Sequence, residues 1–419
     1  MRILVANDLY GPSSAAGVAT AMARALIPHG HEVHFVATVQ RPGEARDFVE
    51  ESGLRVHLVE TKPYPLRFRS WVSLWNRSAL APFRRVLDDV DPDVVHFHNL
   101  HIHLSYRALK LARERGVPVV LSVHDVMPFC FQKMFCFMSD SLRPNDPPLS
   151  FKAPMPRCIP CARLRYNPLR NPFIRWHFKR YVSRLVAVSA EMERALRENG
   201  IDNVETIANG IDPSAARSAD HGAAFRAKHG LVGKKVVLYG GRLDHRKGAE
   251  HLLRAMARIR ADVPQAALLV AGSGGDAYEN RMIELAGELG IGDAIVTTGW
   301  LSQAEMDEAY SASDVICTPS LIFESFGLIN AEGMLRGRPA VTSYFGGPKN
   351  VVEDGVSGFH VNPMQVDALV AALTPLLRDD ALRERMGAAA RRRVLTEFAL
   401  ETQAARVEDL YVRLVGGAS

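Results

Sequence analysis

At 419 residues the chain exceeds what one hydrophobic core comfortably serves, and 47% hydrophobic with 23% charged residues is the composition of an ordinary folded protein. A net charge of +5 is too modest to define a nucleic-acid binder, and no recognisable reading module accompanies it. No window holds the roughly 18 consecutive apolar residues of a membrane span.

The amino terminus, MRILVANDLYGPS, is an apolar run broken at once by Asn7 and Asp8, which makes it a first strand and not a signal peptide. The chain is therefore expected in the cytoplasm. After RILVAND, further strands are predicted at HEVHFVAT, LRVHLVE, DVVHFHN and PVVLSVHD. Helices are predicted at GVATAMARALIPHG and HIHLSYRALKLARERG, where apolar residues recur at three- and four-residue spacing and a Gly closes each stretch.

Two stretches of this first half are basic and free of acids. From Thr61 to Leu87 there are six bases, interleaved with Tyr64, Phe68, Trp71, Trp75 and Phe83. From Pro147 to Ala190 there are nine, with Trp176 nearby. Bases mixed with large aromatics suit an anionic membrane surface, such as the inner face of a membrane holding a peripheral protein. The same pattern also suits solvated helix faces whose aromatics are core.

The second half repeats the plan with strands at KKVVLYGG, AALLVAGSGG, AIVTTGW, DVICTPS and PAVTSYFGG. GAEHLLRAMARIRADVP places Leu252, Ala255, Met256, Ile259 and Val263 on one helix face, and in SQAEMDEAYSAS Ser302 and Glu305 form a capping box. TEFALETQAARVEDLYVRL reads as a final helix. Strand–helix alternation on this scale predicts two Rossmann-like, doubly wound parallel-sheet domains with a cleft between them. The expected boundaries are 1–188, with a cysteine-containing insertion at about 128–165, then 189–395, and a helix at 396–419 crossing back to the first domain.

In SLIFESFGLINAEGM, Glu324 and Glu332 are eight residues apart, about 12 Å along a helix axis, which is too far for a simple acid–base couple. The stretch follows a strand, so a helix is expected to begin near Ser325 or Phe326. The amides of Ser325 to Leu328 would then form a phosphate seat that Gly327 leaves accessible. YGGRLDHRKG sets Arg242 and Lys247 at another strand's end, two cations suited to a diphosphate. VHDVMP puts His124 at a third strand's end, where a purely structural histidine is the alternative.

ESFGLINAE and GGRLDHRKG, with DPDVVHFHN, VSAEMERAL, IANGID and SASDVICTPS in this order, resemble the retaining glycosyltransferases of family four, with the GT-B fold. The resemblance spans nearly the whole chain. It implies transfer of a sugar from a nucleotide-diphosphate sugar to an acceptor hydroxyl with retention, in polysaccharide or glycolipid assembly, without a catalytic metal or cofactor. It also implies that Glu332 holds the ribose. Glu324 and the amides of Phe326, Gly327 and Leu328 would meet sugar and phosphates, and Arg242 and Lys247 the diphosphate. His124 would sit beside the transferred sugar, and Gly17, in the loop before the first helix, would leave room for donor or acceptor. The chain departs from the family pattern at Ala16, where many members have Gly, and at Asn350, where members often have Glu. A lipid-linked or saccharide acceptor is expected. The competing readings are an inactive nucleotide-sugar-binding scaffold and a phosphorylase or epimerase on the same fold.

Four cysteines fall in one stretch, Cys130, Cys136, Cys158 and Cys161, as C-x5-C and C-x2-C. This clustering marks them as candidate ligands of a structural zinc that would pin the Pro-rich segment between the pairs; four free thiols are the alternative. Cys317, inside a predicted strand, reads as core.

Overall fold

A computed structural model describes residues 1–12, 14–136, 150–215 and 219–417, so the Pro-rich residues 137–149 between the cysteine pairs lie outside the described residues. The chain divides into two compact units. Of the described residues, the first takes 1–136, 150–210 and the C-terminal residues from Leu400, and the second takes 211–399.

The first unit is built on eight strands: β1 (Arg2–Ala6), β2 (Glu32–Val39), β3 (Arg46–Val49), β4 (Arg55–Glu60), β5 (Val94–Phe97), β6 (Val119–Val123), β7 (Arg184–Ala187) and β8 (Val204–Thr206). Their order is β3-β4-β2-β1-β5-β6-β7-β8. All neighbours are parallel except β3, which turns back antiparallel on β4 at the sheet edge. The inner strands β1, β5 and β6 are buried on both faces, which is why they read as continuous apolar runs. β3 shows four residues, three of them exposed, and no such run; it was not expected from the sequence.

The second unit holds β9 (Lys235–Gly240), β10 (Ala266–Ala271), β11 (Ile295–Gly299), β12 (Val315–Thr318), β13 (Ala340–Ser343) and β14 (Gly358–Val361), in the order β11-β10-β9-β12-β13-β14, all parallel. Its core gathers Leu252, Ala255, Met256, Ile259 and Val263 from the helix predicted to follow β9, together with Val237, Leu268 and Cys317 from the strands. The Ser302–Glu305 capping box forms as read.

Several boundaries differ from the sequence reading. The first domain continues to residue 210, not 188, because β7 and β8 extend the β6 edge and carry the helix Ala190–Glu198 with them. The first helix starts at Ser14, so Gly17 lies in its first turn rather than in the loop before it; the small Ala15 and Ala16 that precede it are buried helical residues. The helix expected from residue 101 starts at Arg107, since Asp8 accepts the backbone N–H groups of Ile102, His103 and Leu104 (2.7, 2.8 and 2.7 Å) and holds them in turns. The final helical stretch is two helices, Asp380–Glu397 and Leu400–Gly416, parted at Phe398–Ala399, where the chain leaves the second unit and returns to the first. The last helix buries Ala404, Val407, Leu410 and Tyr411 in the first unit's core beside Val5, Phe35 and Val94.

Candidate active site

In a parallel sheet every strand ends on the same edge, so the loops after β9, β12 and β13 meet within the second unit. They are stitched by backbone bonds: Leu321 N–H donates to Arg246 O (2.8 Å), Glu324 N–H to Phe345 O (3.3 Å), and Gly347 N–H to Glu324 O (2.7 Å). The two sequence motifs, whose Lys247 and Glu324 are 77 residues apart in the chain, thereby become one site.

Lys247 and Glu324 are joined directly: the ammonium bonds Glu324 Oε1, and Ser320 Oγ donates to the same oxygen at 2.6 Å. Each side chain is about a quarter exposed, at 23% and 24%. The sequence reading gave each residue a separate contact with a ligand. The structure makes them a pair, in which the carboxylate fixes the lysine and the lysine cancels a negative charge that would otherwise repel an anion. Arg246 is tied to Asp244, whose carboxyl the bonded guanidinium holds well below the usual range. Arg242 is exposed and, among the described residues, forms no ion pair.

The helix expected at Ser325 or Phe326 begins at Leu328, with Gly327 as its cap at φ +98°, a left-handed conformation that favours glycine. The Phe326 side chain turns into the core against Phe398, with ring centroids 5.7 Å apart, leaving only its backbone for a ligand. A polar triad, with Asn330 and Thr342 buried, anchors this helix to the ends of β12 and β13. Thr318 Oγ1 donates to Asn330 Oδ1 (2.9 Å), Asn330 Nδ2 donates to Thr342 Oγ1 (3.2 Å), and the two threonine hydroxyls lie 2.9 Å apart. Glu332 sits on the helix and accepts from Tyr310 OH at 2.5 Å; burial raises its carboxyl above the ordinary value, against the lowering effects of Tyr310 and Arg336. Arg336 forms a fully buried pair with Asp307 and stacks over the Tyr310 ring at 5.5 Å. Tyr310 and the triad were missed by sequence reading, because a Tyr or Thr on an otherwise apolar face gives no signal until its partner is known.

In the first unit, Gly17 is where a Cβ would meet Pro12 O at 2.5 Å. The preceding loop thus occupies the place where a side chain would stand. Burial holds the His124 imidazole down to about 4, so the ring is neutral near neutral pH. It hydrogen-bonds His98 and lines a small cavity with Asn99, His101, Tyr106 and Asp125.

The four cysteines are gathered. The helix Met155–Ala162 carries Cys158 and Cys161 a turn apart, and Gln132 Nε2 donates to Cys161 O (2.6 Å). Burial raises the Cys130 thiol to about 12, and Cys136, Cys158 and Cys161 lie near enough to add to that. Among the described residues, however, no three His, Cys, Asp or Glu side chains are set to hold a metal ion. Arg170, counted with the basic surface, is buried: it stacks over Phe131 at 5.1 Å and bonds Met127 O, anchoring the segment before Cys130. The aromatics of the basic stretches divide: Phe83 is core, while Trp71, Trp75 and Trp176 are 53%, 52% and 53% exposed. Arg77 and Arg107 lie over the Trp75 ring at 5.3 and 5.2 Å. No helix among the described residues is long and apolar enough to cross a membrane.

With this geometry in hand, comparison with known proteins gives the class. Residues 15–215 match the model described as Glycosyltransferase Family 4, and residues 223–393 that described as Glycosyl transferases group 1. A D-inositol 3-phosphate glycosyltransferase of Nocardioides is 30% identical over 77% of this chain and 67% of its own. A sucrose-phosphate synthase of Thermosynechococcus elongatus shares the fold at a TM-score of 0.77 and 20% identity, over 99% of each chain. The Anabaena protein HepE, solved with UDP and glucose, does so at 0.74 and 18%, over 99% of this chain and 100% of its own. The chain belongs to the family-four glycosyltransferases, nucleotide-sugar-dependent transferases with the GT-B fold.

Proposed function

We propose that this glycosyltransferase moves a hexosyl group from a UDP-sugar to an acceptor hydroxyl with retention of configuration, on a donor seat built in its second unit. The Lys247–Glu324 pair carries the reading, because it fixes an ammonium on the loop that leads into the Leu328–Leu335 helix. As the sugar–phosphate bond breaks, negative charge grows on the leaving diphosphate. Lys247, Arg242 and the amides of Phe326, Gly327 and Leu328 stabilise it more than they stabilise the bound donor. Glu332, with one oxygen held by Tyr310, accepts from the ribose hydroxyls through the other. His124 and the first turn at Gly17 serve the sugar and acceptor side. UDP is favoured over other nucleotides by likeness to the Anabaena fold neighbour. Calorimetric titration with UDP, GDP and ADP, with and without a chelator, tests the seat on wild type and Glu332→Ala. UDP binding that ignores the chelator and is lost in the variant is expected; no binding of any nucleotide by folded wild type would sink the proposal.

The exposed Trp71, Trp75 and Trp176 among bases support a peripheral attachment to an anionic membrane and a lipid-linked acceptor. Binding to phosphatidylglycerol vesicles that weakens with salt, and weakens further in Trp71→Ser/Trp75→Ser, is expected. The gathering of Cys130, Cys136, Cys158 and Cys161 supports a structural zinc that would draw the thiolates together on binding. About one zinc per purified chain, lost in Cys158→Ser/Cys161→Ser, is the outcome that would bear this out.

A further inference from the structure

Three histidines form a chain of ring contacts in the first unit. His96 lies in β5, His98 just beyond it on the same face, and His124 just beyond β6, which pairs with β5. His96 and His98 stack with centroids 4.5 Å apart; His98 and His124 are nearly coplanar, at 15°, with centroids 5.0 Å apart. The second pair shares a short in-plane hydrogen bond, His98 Nδ1 to His124 Nε2, at 2.7 Å. His96 is closed off by partners on both nitrogens, Tyr411 OH at 2.6 Å and Ser122 Oγ at 2.8 Å.

His98 is not closed off. It is 2% exposed, and its Nε2 has no hydrogen-bond partner among the described residues. Burial keeps all three rings neutral near neutral pH, with His96 down at about 3, His124 at about 4 and His98 well below its ordinary value. A bond between two neutral imidazoles needs one N–H and one bare nitrogen, so two arrangements exist. If His124 Nε2–H donates, His98 carries its own proton on Nε2 and buries an N–H with no acceptor. If His98 Nδ1–H donates, the buried Nε2 is a bare ring nitrogen, and His124 carries its proton on Nδ1. Orphaned buried N–H groups are rarer in proteins than undersatisfied acceptors, which favours the second arrangement.

We infer that His98 is a positioning residue that fixes His124 as the Nδ1–H tautomer, a neutral hydrogen-bond donor whose substrate partner is an oxygen lone pair of the sugar. The tautomer of one ring is set by the bond made by its other nitrogen, and here that bond comes from His98. His124 then steadies an oxygen and takes no proton from the acceptor. This assignment rests on the reading of His124 as a substrate-facing residue, but the tautomer itself does not.

Nitrogen-15 NMR of the full chain labelled at histidine, with no ligand, tests it directly. The expected spectrum shows His124 protonated at Nδ1 and bare at Nε2. A His124 protonated at Nε2 overturns the inference, whatever the activity. Two variants then separate positioning from packing. His98→Asn keeps an N–H where Nδ1–H stood and is expected to retain the His124 tautomer. His98→Leu removes it and is expected to give a mixed or reversed tautomer. In the leucine variant kcat should fall about 10- to 100-fold, by analogy with metal-bound histidines that lose the partner orienting them, with UDP affinity unchanged. The asparagine variant should fall less. Equal losses in the two variants with the tautomer unmoved would overturn the positioning role. If the leucine variant does not fold, the wild-type spectrum still decides. If instead the tautomer is as expected but His124→Ala transfers sugar normally, it is the substrate-facing reading that fails.

Discussion

The two units present opposite chemistry at their strand ends. In the second unit the groups are charged and partly exposed: Lys247 on Glu324, Arg242 exposed, Glu332 held by a tyrosine. In the first they are three neutral imidazoles, His96 stacked on His98 and His98 hydrogen-bonded to His124, with His96 and His98 buried. The difference accords with the proposed roles of the two sides. A diphosphate requires fixed positive charge, and fixed charge survives only where water or a counter-charge offsets its desolvation. A sugar carries no charge, so a neutral N–H aimed at one oxygen suffices, and it can be kept deep in the fold.

Three outcomes would sharpen or break this contrast. The largest is expected for Lys247→Ala, which removes the fixed cation and leaves Glu324 uncompensated beside the phosphate seat. kcat should fall about 100-fold or more in a steady-state transfer assay. A loss under threefold would mean the charged seat is not where the diphosphate rests. Next, Tyr310→Phe deletes one bond to Glu332 while keeping the ring under Arg336. UDP affinity should drop several-fold, on the order of 1 kcal/mol by calorimetry, with stability little changed. The smallest effect concerns pH. His96, His98 and His124 have folded values below the unfolded one, so from about pH 6.5 down to about 4 the unfolded chain binds more protons than the native one. Their stabilisation is complete above that window and is lost as pH falls through it. Tm should decline from pH 7 to pH 5, and His96→Gln should flatten the decline. The raised carboxyls of Asp8 and Glu332 act in the opposite sense, so a steeper slope in the variant would show that the histidines are not what sets it.

Much of this was legible in the residues. Buried parallel strands such as β1, β6 and β10 announce themselves as apolar runs, and the helix Ala249–Asp262 announces its core face by spacing. The edge strands β3, β8 and β14 are not foreseen, because an edge strand is defined by its neighbour more than by its own side chains, and the inner strand β7 is not foreseen either. In the site, Glu324 and Lys247 were singled out separately, but their union depends on β9 and β12 lying side by side, which no local pattern states. A side chain at Gly17 would meet Pro12 O, a contact of the chain with itself that no local pattern states. The start of the Leu328 helix was placed too early because Gly327 was read as an opening for ligand and not as the left-handed cap that delays the first turn.

The return of the last helix to the first unit bears on how the chain is made. Domains commonly fold as units in the order of their synthesis. Here the early half cannot close its core until Val407, Leu410 and Tyr411 leave the ribosome, since these side chains fill it and Tyr411 OH completes the bonding of His96. The residues 211–399, by contrast, have everything they need once Ala399 has emerged. The amino-terminal sheet thus completes its core only with side chains that follow the whole of residues 211–399 in the chain.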